Sequence, residues 1–227
     1  MKESSAYEHV QPEIVGNERR VLISELSGKS NVLYKAERMG LKVDKSSAGT
    51  QAVVNKLKEM EHYGYQFEGA EASFEILFNK LLEQHSEFFE LDGFRVTTEK
   101  RGNCKSTSEA VIKLRVDGIE EHTAAEGVGP VSALDHALRK SLTTFFPCIK
   151  DIRLTDYKVR VLNAKGGTDA KVRVLIETSD GQESWGTVGV SENLIEASWL
   201  ALVDSISYKL KKEYGVKEQA KFTQEGS

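Results

Sequence analysis

The sequence lacks most of the signatures that would commit it to chemistry. No HxH pair and no Cys-x-x-Cys occurs, and His9, His62, His85, His122 and His136 stand at no metal-ligand spacing. Phosphate-binding loops, dinucleotide fingerprints and a Ser-His-Asp arrangement are missing as well. The only two cysteines, Cys104 and Cys148, lie far apart; they either pair or stand as incidental thiols in a reducing compartment, and the second reading is favoured. A basic excess is lacking too: the net charge is −4, which argues against a nucleic-acid partner. No apolar stretch approaches the roughly 20 residues that span a bilayer, which excludes a membrane protein of that kind. Met1-Lys2-Glu3-Ser4-Ser5 has no apolar core of a signal peptide, and a cytoplasmic location is expected.

What is present is ordinary globular material, 39% hydrophobic and 29% charged, enough for one large domain or two small ones. Its main feature is a degenerate repeat at an offset of about 63 residues, longer than solenoid periods. Asp92-Gly93-Phe94-Arg95-Val96-Thr97 is echoed by Thr155-Asp156-Tyr157-Lys158-Val159-Arg160, and Ala110 to Val116 by Ala170 to Ile176. Asp117-Gly118 and Asp180-Gly181 then turn each run into a third strand and a helix. In the first unit Phe94 and Val96 alternate with Arg95, and Ile112, Leu114 and Val116 with Lys113 and Arg115, the period of a sheet with one buried face. Tyr157, Val159 and Val161, then Val172, Val174 and Ile176, repeat it. The third strands are expected over Glu120 to Glu126, a polar run, and Trp185 to Val190. The helices follow at Val131, Leu134, Leu138, Leu142 and Phe145, and at Ile195, Trp199, Leu202, Ile206 and Leu210. Pro130 suits a first helical position and Ser191 an N-cap.

The first 31 residues read as irregular with one short strand, Arg20 to Ile23, followed by a helix from Asn31 to Met39 that stops at Gly40. Better helices run from Gln51 to Tyr63, closed by Gly64, and from Ala70 to Gln84, whose apolar face needs a partner. The expected fold class is therefore α+β: small helical linker subdomains over residues 1–86, a pseudo-symmetric domain of two βββα units over residues 87–212, and a flexible tail over residues 213–227. Such a domain offers a seam between its halves where a small ligand fits.

Two readings stand open for Gly127-Val128-Gly129-Pro130. Either the glycines bring backbone close to a ligand and the first-turn N–H groups hold a carboxylate, or this is a plain tight turn. Lys158, Arg160, Lys171 and Arg173 read as a solvated sheet face, and Trp185 and Trp199 as core or dimer-interface residues. By residue chemistry alone the chain is a binding or interaction module rather than a complete enzyme.

Several stretches carry a family resemblance. Tyr7 to Arg20 and Ser24 to Asn31 resemble the segment after the catalytic barrel of isopropylmalate and citramalate synthases. Tyr65 to Phe74 is similar to the citramalate branch, and the Gly127–Pro130 turn and Trp185 to Ser191 look like the two helix entries of the family's regulatory domain. The resemblance implies a C-terminal portion of such an enzyme, without the barrel and its divalent metal, and inactive alone. The parent reaction would condense acetyl-CoA with pyruvate. It implies a homodimer that works with the catalytic barrel of the same enzyme and needs no cofactor in this chain. Its effector would be isoleucine for feedback inhibition. The alternatives are an isopropylmalate synthase portion sensing leucine, or a purely structural dimerisation module. By the same resemblance His9, Asn17 and Tyr34 would serve catalysis in the partner subunit's active site; Arg19 stands where the family often has a tyrosine, and Tyr34 would supply the phenol. The effector residues would be Val128, Gly129, Val131, Ser132, Asp156 and Tyr157. In this reading the helix N-terminus takes the carboxylate and Asp156 the ammonium.

Overall fold

A computed structural model of the chain describes residues 48–82, 87–162 and 170–224, with side chains from residue 49 to residue 215. The chain divides into two compact parts, Met1–Val43 and Asp44–Ser227, and every described residue belongs to the second part. The short strand at Arg20 to Ile23, the helix at Asn31 to Met39, and His9, Asn17 and Tyr34 lie outside the described residues.

Two helices come first, α1 (Ala48–Tyr63) and α2 (Glu71–Leu81). The α1 C-terminus is closed as the sequence predicts. Gly64 sits at φ +124, its N–H reaches Glu61 O at 3.0 Å, and Tyr65 N–H returns to Met60 O at 2.9 Å, which together cap the last carbonyls. The repeat then follows: β1 (Glu90–Glu99), β2 (Thr107–Val116), β3 (Ile119–Gly127) and α3 (Pro130–Thr143), a short 3-10 turn at Pro147–Asp151, then β4 (Arg153–Val161), β5 (Val172–Ser179), β6 (Ser184–Ser191) and α4 (Leu194–Gln224). The architecture is α+β with a repeated βββα pattern. No described helix is long and apolar enough to cross a membrane.

Each unit forms its own antiparallel sheet, in the orders β1-β2-β3 and β4-β5-β6. The duplication extends to register. Phe94 lies opposite Ile112, which lies opposite Thr123; Tyr157, Ile176 and Thr187 form the same row in the second sheet. Even the irregularities match, since a bulge between Leu91 and Gly93 recurs between Leu154 and Asp156. Period-two alternation drives the pairing. Ala110, Ile112, Leu114 and Val116 are buried against α3, while their neighbours on β2 face outward or lie half-buried. One hydrophobic core joins both units: it runs from Ile112, Leu114 and Leu138 to Val174, Ile176 and Leu202. Phe94 of the first unit packs on Trp199 of the second with ring centroids 5.2 Å apart.

Two sequence expectations are corrected by the structure. The N-cap of α4 is Asn193, whose Oδ1 accepts the N–H groups of Ile195 at 2.8 Å and Glu196 at 3.3 Å; Ser191 instead accepts Asn193 N–H at 3.1 Å, one step before the helix. Lys171 and Arg173 do not line a solvated face. Arg173 donates to Gly64 O at 2.7 Å and Gln66 Oε1 at 2.6 Å, and Lys171 Nζ sits 3.6 Å above the Tyr63 ring, so both fasten the end of α1. The last helix runs on past Leu210 to Gln224. Tyr214 holds that extension by packing on Phe146, with centroids 5.5 Å apart. Both tryptophans are core residues, each 5% exposed.

Candidate functional site

The Gly127–Pro130 corner positions the start of α3. Gly127 is required by packing: a Cβ there would lie 2.3 Å from Ala133 N. The first reading gave both glycines to a ligand; Gly127 serves its own helix instead. Gly129 has open space around it, is extended at φ −160 and is the N-cap, but no side chain caps this end. Pro130 occupies the first helical turn, where its missing N–H is harmless. Ala133 N–H closes the first helical bond to Gly129 O at 2.9 Å. The N–H groups of Val131 and Ser132 precede that bond, so they are donors without a helical acceptor.

Val131 and Ser132 border a cavity of about 390 Å³ between the two βββα units. From α3 it is lined by Val131, Ser132, Asp135, His136 and Arg139, and from β4 by Arg153, Leu154 and Tyr157. The β4 bulge between Leu154 and Asp156 sets this wall, because it breaks the alternation where the strand passes α3. Three of the residues expected at an effector site, Val131, Ser132 and Tyr157, therefore come together. Val128 does not join them; it is 95% exposed and outside the lining. Gly129 adjoins the cavity as the N-cap without lining it. Asp156 is also outside: it pairs with Lys158 and accepts Tyr157 N–H at 2.9 Å. The Lys158 ammonium and that N–H hold its carboxyl below the ordinary range.

Polar groups around the cavity are mostly committed. Asp135, only 8% exposed, accepts two bonds from Arg139, at 3.1 Å and 2.5 Å, and Arg139 also donates to Ile152 O at 3.0 Å. That fork ties α3 to the entry of β4. His136 Nδ1 bonds Glu126 O at 2.8 Å and so donates to it. Tyr157 Oη lies 2.9 Å from Ser198 Oγ. Because Ser198 gives its own proton to Leu194 O at 2.7 Å, the tyrosine is the donor. Burial pushes the Tyr157 phenol up, so it stays protonated. Arg153 differs: it is exposed, and among the described residues its side chain enters no hydrogen bond or ion pair. Among the described residues the cavity is thus lined by one uncommitted cation, by the first turn of α3 and by apolar surface from Val131 and Leu154. That set matches a small anion with an apolar body, such as an amino-acid carboxylate.

Sequence reasoning did not find Asp135, His136, Arg139, Arg153 or Leu154. The Asp135–Arg139 spacing was a usable signal for a helical ion pair; the others become neighbours only when β4 passes α3. Among the described residues no group of three or more His, Cys, Asp or Glu could hold a metal ion.

Comparison with known proteins matches residues 68–210 to the LeuA allosteric (dimerisation) domain and residues 1–64 to the homocitrate synthase post-HMGL domain-like family. The chain is similar to (R)-citramalate synthase of Aquifex aeolicus, 50% identical over 214 residues, covering 94% of this chain and 40% of the relative. The (R)-citramalate synthase of Geobacter sulfurreducens is 53% identical over 207 residues, 91% of this chain and 39% of the relative. That of Synechocystis sp. is 47% identical over 209 residues, 90% and 38%. The chain spans about 40% of the length of these relatives.

Proposed function

Because the chain belongs to the LeuA allosteric (dimerisation) domain family, we propose that it is the linker and regulatory portion of a citramalate synthase and binds isoleucine as a feedback effector. The observation that supports this most is the cavity at the seam, where the uncapped start of α3 and the uncommitted Arg153 face a small apolar wall. An amino-acid carboxylate is taken by Arg153 and by the N–H groups of Val131 and Ser132, and a branched side chain by Val131 and Leu154. Tyr157 closes one wall, held in place by Ser198.

In this reading residues 1–86 are linker subdomains, residues 87–212 the regulatory domain, and the working form is a cytoplasmic homodimer. The condensation of acetyl-CoA with pyruvate, and the divalent metal it uses, belong to a catalytic barrel with which this chain cooperates. His9, Asn17 and Tyr34 are assigned to that reaction in trans. Effector binding slows it only by favouring one linker arrangement over another.

Isothermal titration calorimetry on the chain tests the reading, with isoleucine, leucine and valine as titrants. Isoleucine binds tightest, and Arg153→Ala weakens it at least about ten-fold, the loss of one charge-assisted contact. Tighter binding of leucine would move the assignment to an isopropylmalate synthase. Heat from none of the three, with a folded dimer in the cell, would leave a structural dimerisation module.

A further inference from the structure

The joint between α2 and the second βββα unit carries an inference that needs no effector. Strand β6 is the edge of its sheet, and edge strands leave backbone donors without a strand partner. Val188 N–H on that strand is donated to Ser73 Oγ of α2 at 3.0 Å. Ser73 is 2% exposed, and its hydroxyl proton goes to Asp204 Oδ2 of α4 at 2.7 Å. One hydroxyl therefore bridges three elements and ends on a carboxyl. Around it the fit is close. Phe74, Ile76 and Phe78 of α2 are each 1% exposed, and Lys211 of α4 pairs with Glu75 of α2 at 3.0 Å.

We propose that Ser73 and Asp204 form a proton-sensitive latch, in which protonation of Asp204 tightens the seating of α2 on β6 and α4 and ionisation loosens it. Among the described residues few charges face the carboxyl. From α2 there are Ser73 and, at longer range, Lys80; from the loop before α2 there is the Tyr65 phenol; β6 offers only its backbone. Asp204 is itself only half-buried, and that burial pushes it up to about 6, against smaller opposing effects of the Ser73 bond and Lys80. A raised carboxyl binds its proton more tightly in the seated state than in the open one. The joint is therefore firmest below the ordinary value of 3.8 and loses that advantage as pH rises through about 6. When Asp204 is protonated, Oδ2 still accepts the Ser73 hydroxyl if the proton sits on Oδ1, so tightening leaves the relay intact.

Hydrogen–deuterium exchange of the Glu71–Leu81 amides, read by mass spectrometry on the whole chain, tests the latch. Rates are corrected for intrinsic exchange and referred to the β2 amides. Between about pH 5 and about pH 7.5, α2 protection falls about ten-fold as the carboxyl ionises. Asp204→Asn removes that dependence and keeps α2 protected at both values. Ser73→Ala lowers protection at both, since it strips a partner from Val188 N–H and from the carboxyl, while Trp185 and Trp199 fluorescence reports that the core persists. A flat wild-type profile, or a dependence that survives Asp204→Asn, would overturn the latch. If Ser73→Ala does not fold, the wild-type and Asp204→Asn profiles alone decide.

Discussion

The two βββα units share strand order, register and bulge, yet among the described residues only the second has its last strand covered on both sides. In β3 the residues facing away from α3 (Glu120, His122, Ala124 and Glu126) are exposed. At the matching places on β6, Val188 and Val190 are buried and Gly186 is half-buried, because α2 and the loop before it lie against them. The helix-facing positions stayed alike: Thr123 and Thr187 are both buried, 7% and 0% exposed. A duplicated unit thus keeps the face that makes the shared core and varies the face that meets a neighbour. The difference is written as alternation in β3 and its loss in β6.

The turns before these strands diverge in the same sense, and they give the largest expected effect. Asp117-Gly118 is a two-residue turn with positive φ at both positions, +49 and +78, and Val116 pairs directly with Ile119. The second hairpin closes instead at Ser179 and Ser184, with Asp180 accepting the N–H groups of Gln182 and Glu183 at 2.9 Å each. Lys209 of α4 then binds Asp180 at 2.8 Å and Glu213 at 2.6 Å, with Asp180 and Lys209 side chains only 6% and 11% exposed. The Lys209 ammonium and the two N–H groups hold the Asp180 carboxyl well below the carboxylate range. Lys209→Met leaves that carboxylate buried without its cation and costs about 3 kcal/mol in urea unfolding, whereas Asp117→Asn in the first turn is near neutral. The sign with pH follows from a lowered value. The stabilisation from Asp180 is complete above the unfolded value of 3.8 and is lost as pH falls below it. The gap between wild type and Lys209→Met should narrow in acid; a gap constant down to about pH 2 would mean the pair contributes nothing.

Glycine placement sharpens the comparison at the next magnitude. A Cβ on Gly186 would lie 1.8 Å from Gly69 O, and one on Gly189 would lie 2.0 Å from Ala197 O. Gly186→Ala and Gly189→Ala should each cost about 1–3 kcal/mol through forced backbone shifts. In the first unit His122 and Ala125 hold those places with side chains, so Ala125→Gly costs under about 1 kcal/mol. Equal costs in the two units, measured as urea midpoints, would deny that β6 is the more tightly enclosed strand.

Most of this fold is legible from pattern. The row of Phe94, Ile112 and Thr123 against Tyr157, Ile176 and Thr187 is the repeat itself, and period-two burial follows from it. Even the polar β3 is readable once Thr123 is set beside Thr187. What pattern does not carry is who covers what. Lys171 and Arg173 look solvated by alternation, because nothing local says that the end of α1 lies over them. Ser191 looks like a cap by residue type, but Asn193 is the one with helical residues immediately after it. The site divides along the same line. Val131, Ser132 and Tyr157 are named by the family resemblance at the glycine-proline corner and at the first strand of the second unit, not by residue spacing. Arg153 and Leu154 lie across the 3-10 turn from α3, and only tertiary packing makes them neighbours. Val128 and Asp156 are named by the same resemblance but lie outside the cavity.

The smallest effect tests whether the shared core face is equivalent in detail. Thr187 donates to Ala201 O of α4 at 2.8 Å and has no contact with water. Thr123 donates to Glu121 Oε1 at 2.6 Å on its own strand, where the half-buried carboxylate keeps access to solvent. Replacing either by valine keeps the branched shape and the strand preference, so the hydroxyl is the main change. Thr187→Val removes a buried bond and leaves the Ala201 carbonyl without that donor, at a cost of about 1–1.5 kcal/mol. Thr123→Val frees a carboxylate that water serves equally well, and the change stays within about 0.5 kcal/mol. The two variants, unfolded side by side in urea, should separate by close to 1 kcal/mol. If they do not, the hydroxyl row is a relic of the duplication that helps neither sheet, and the closer enclosure of the second unit rests on Gly186, Gly189 and Lys209 alone.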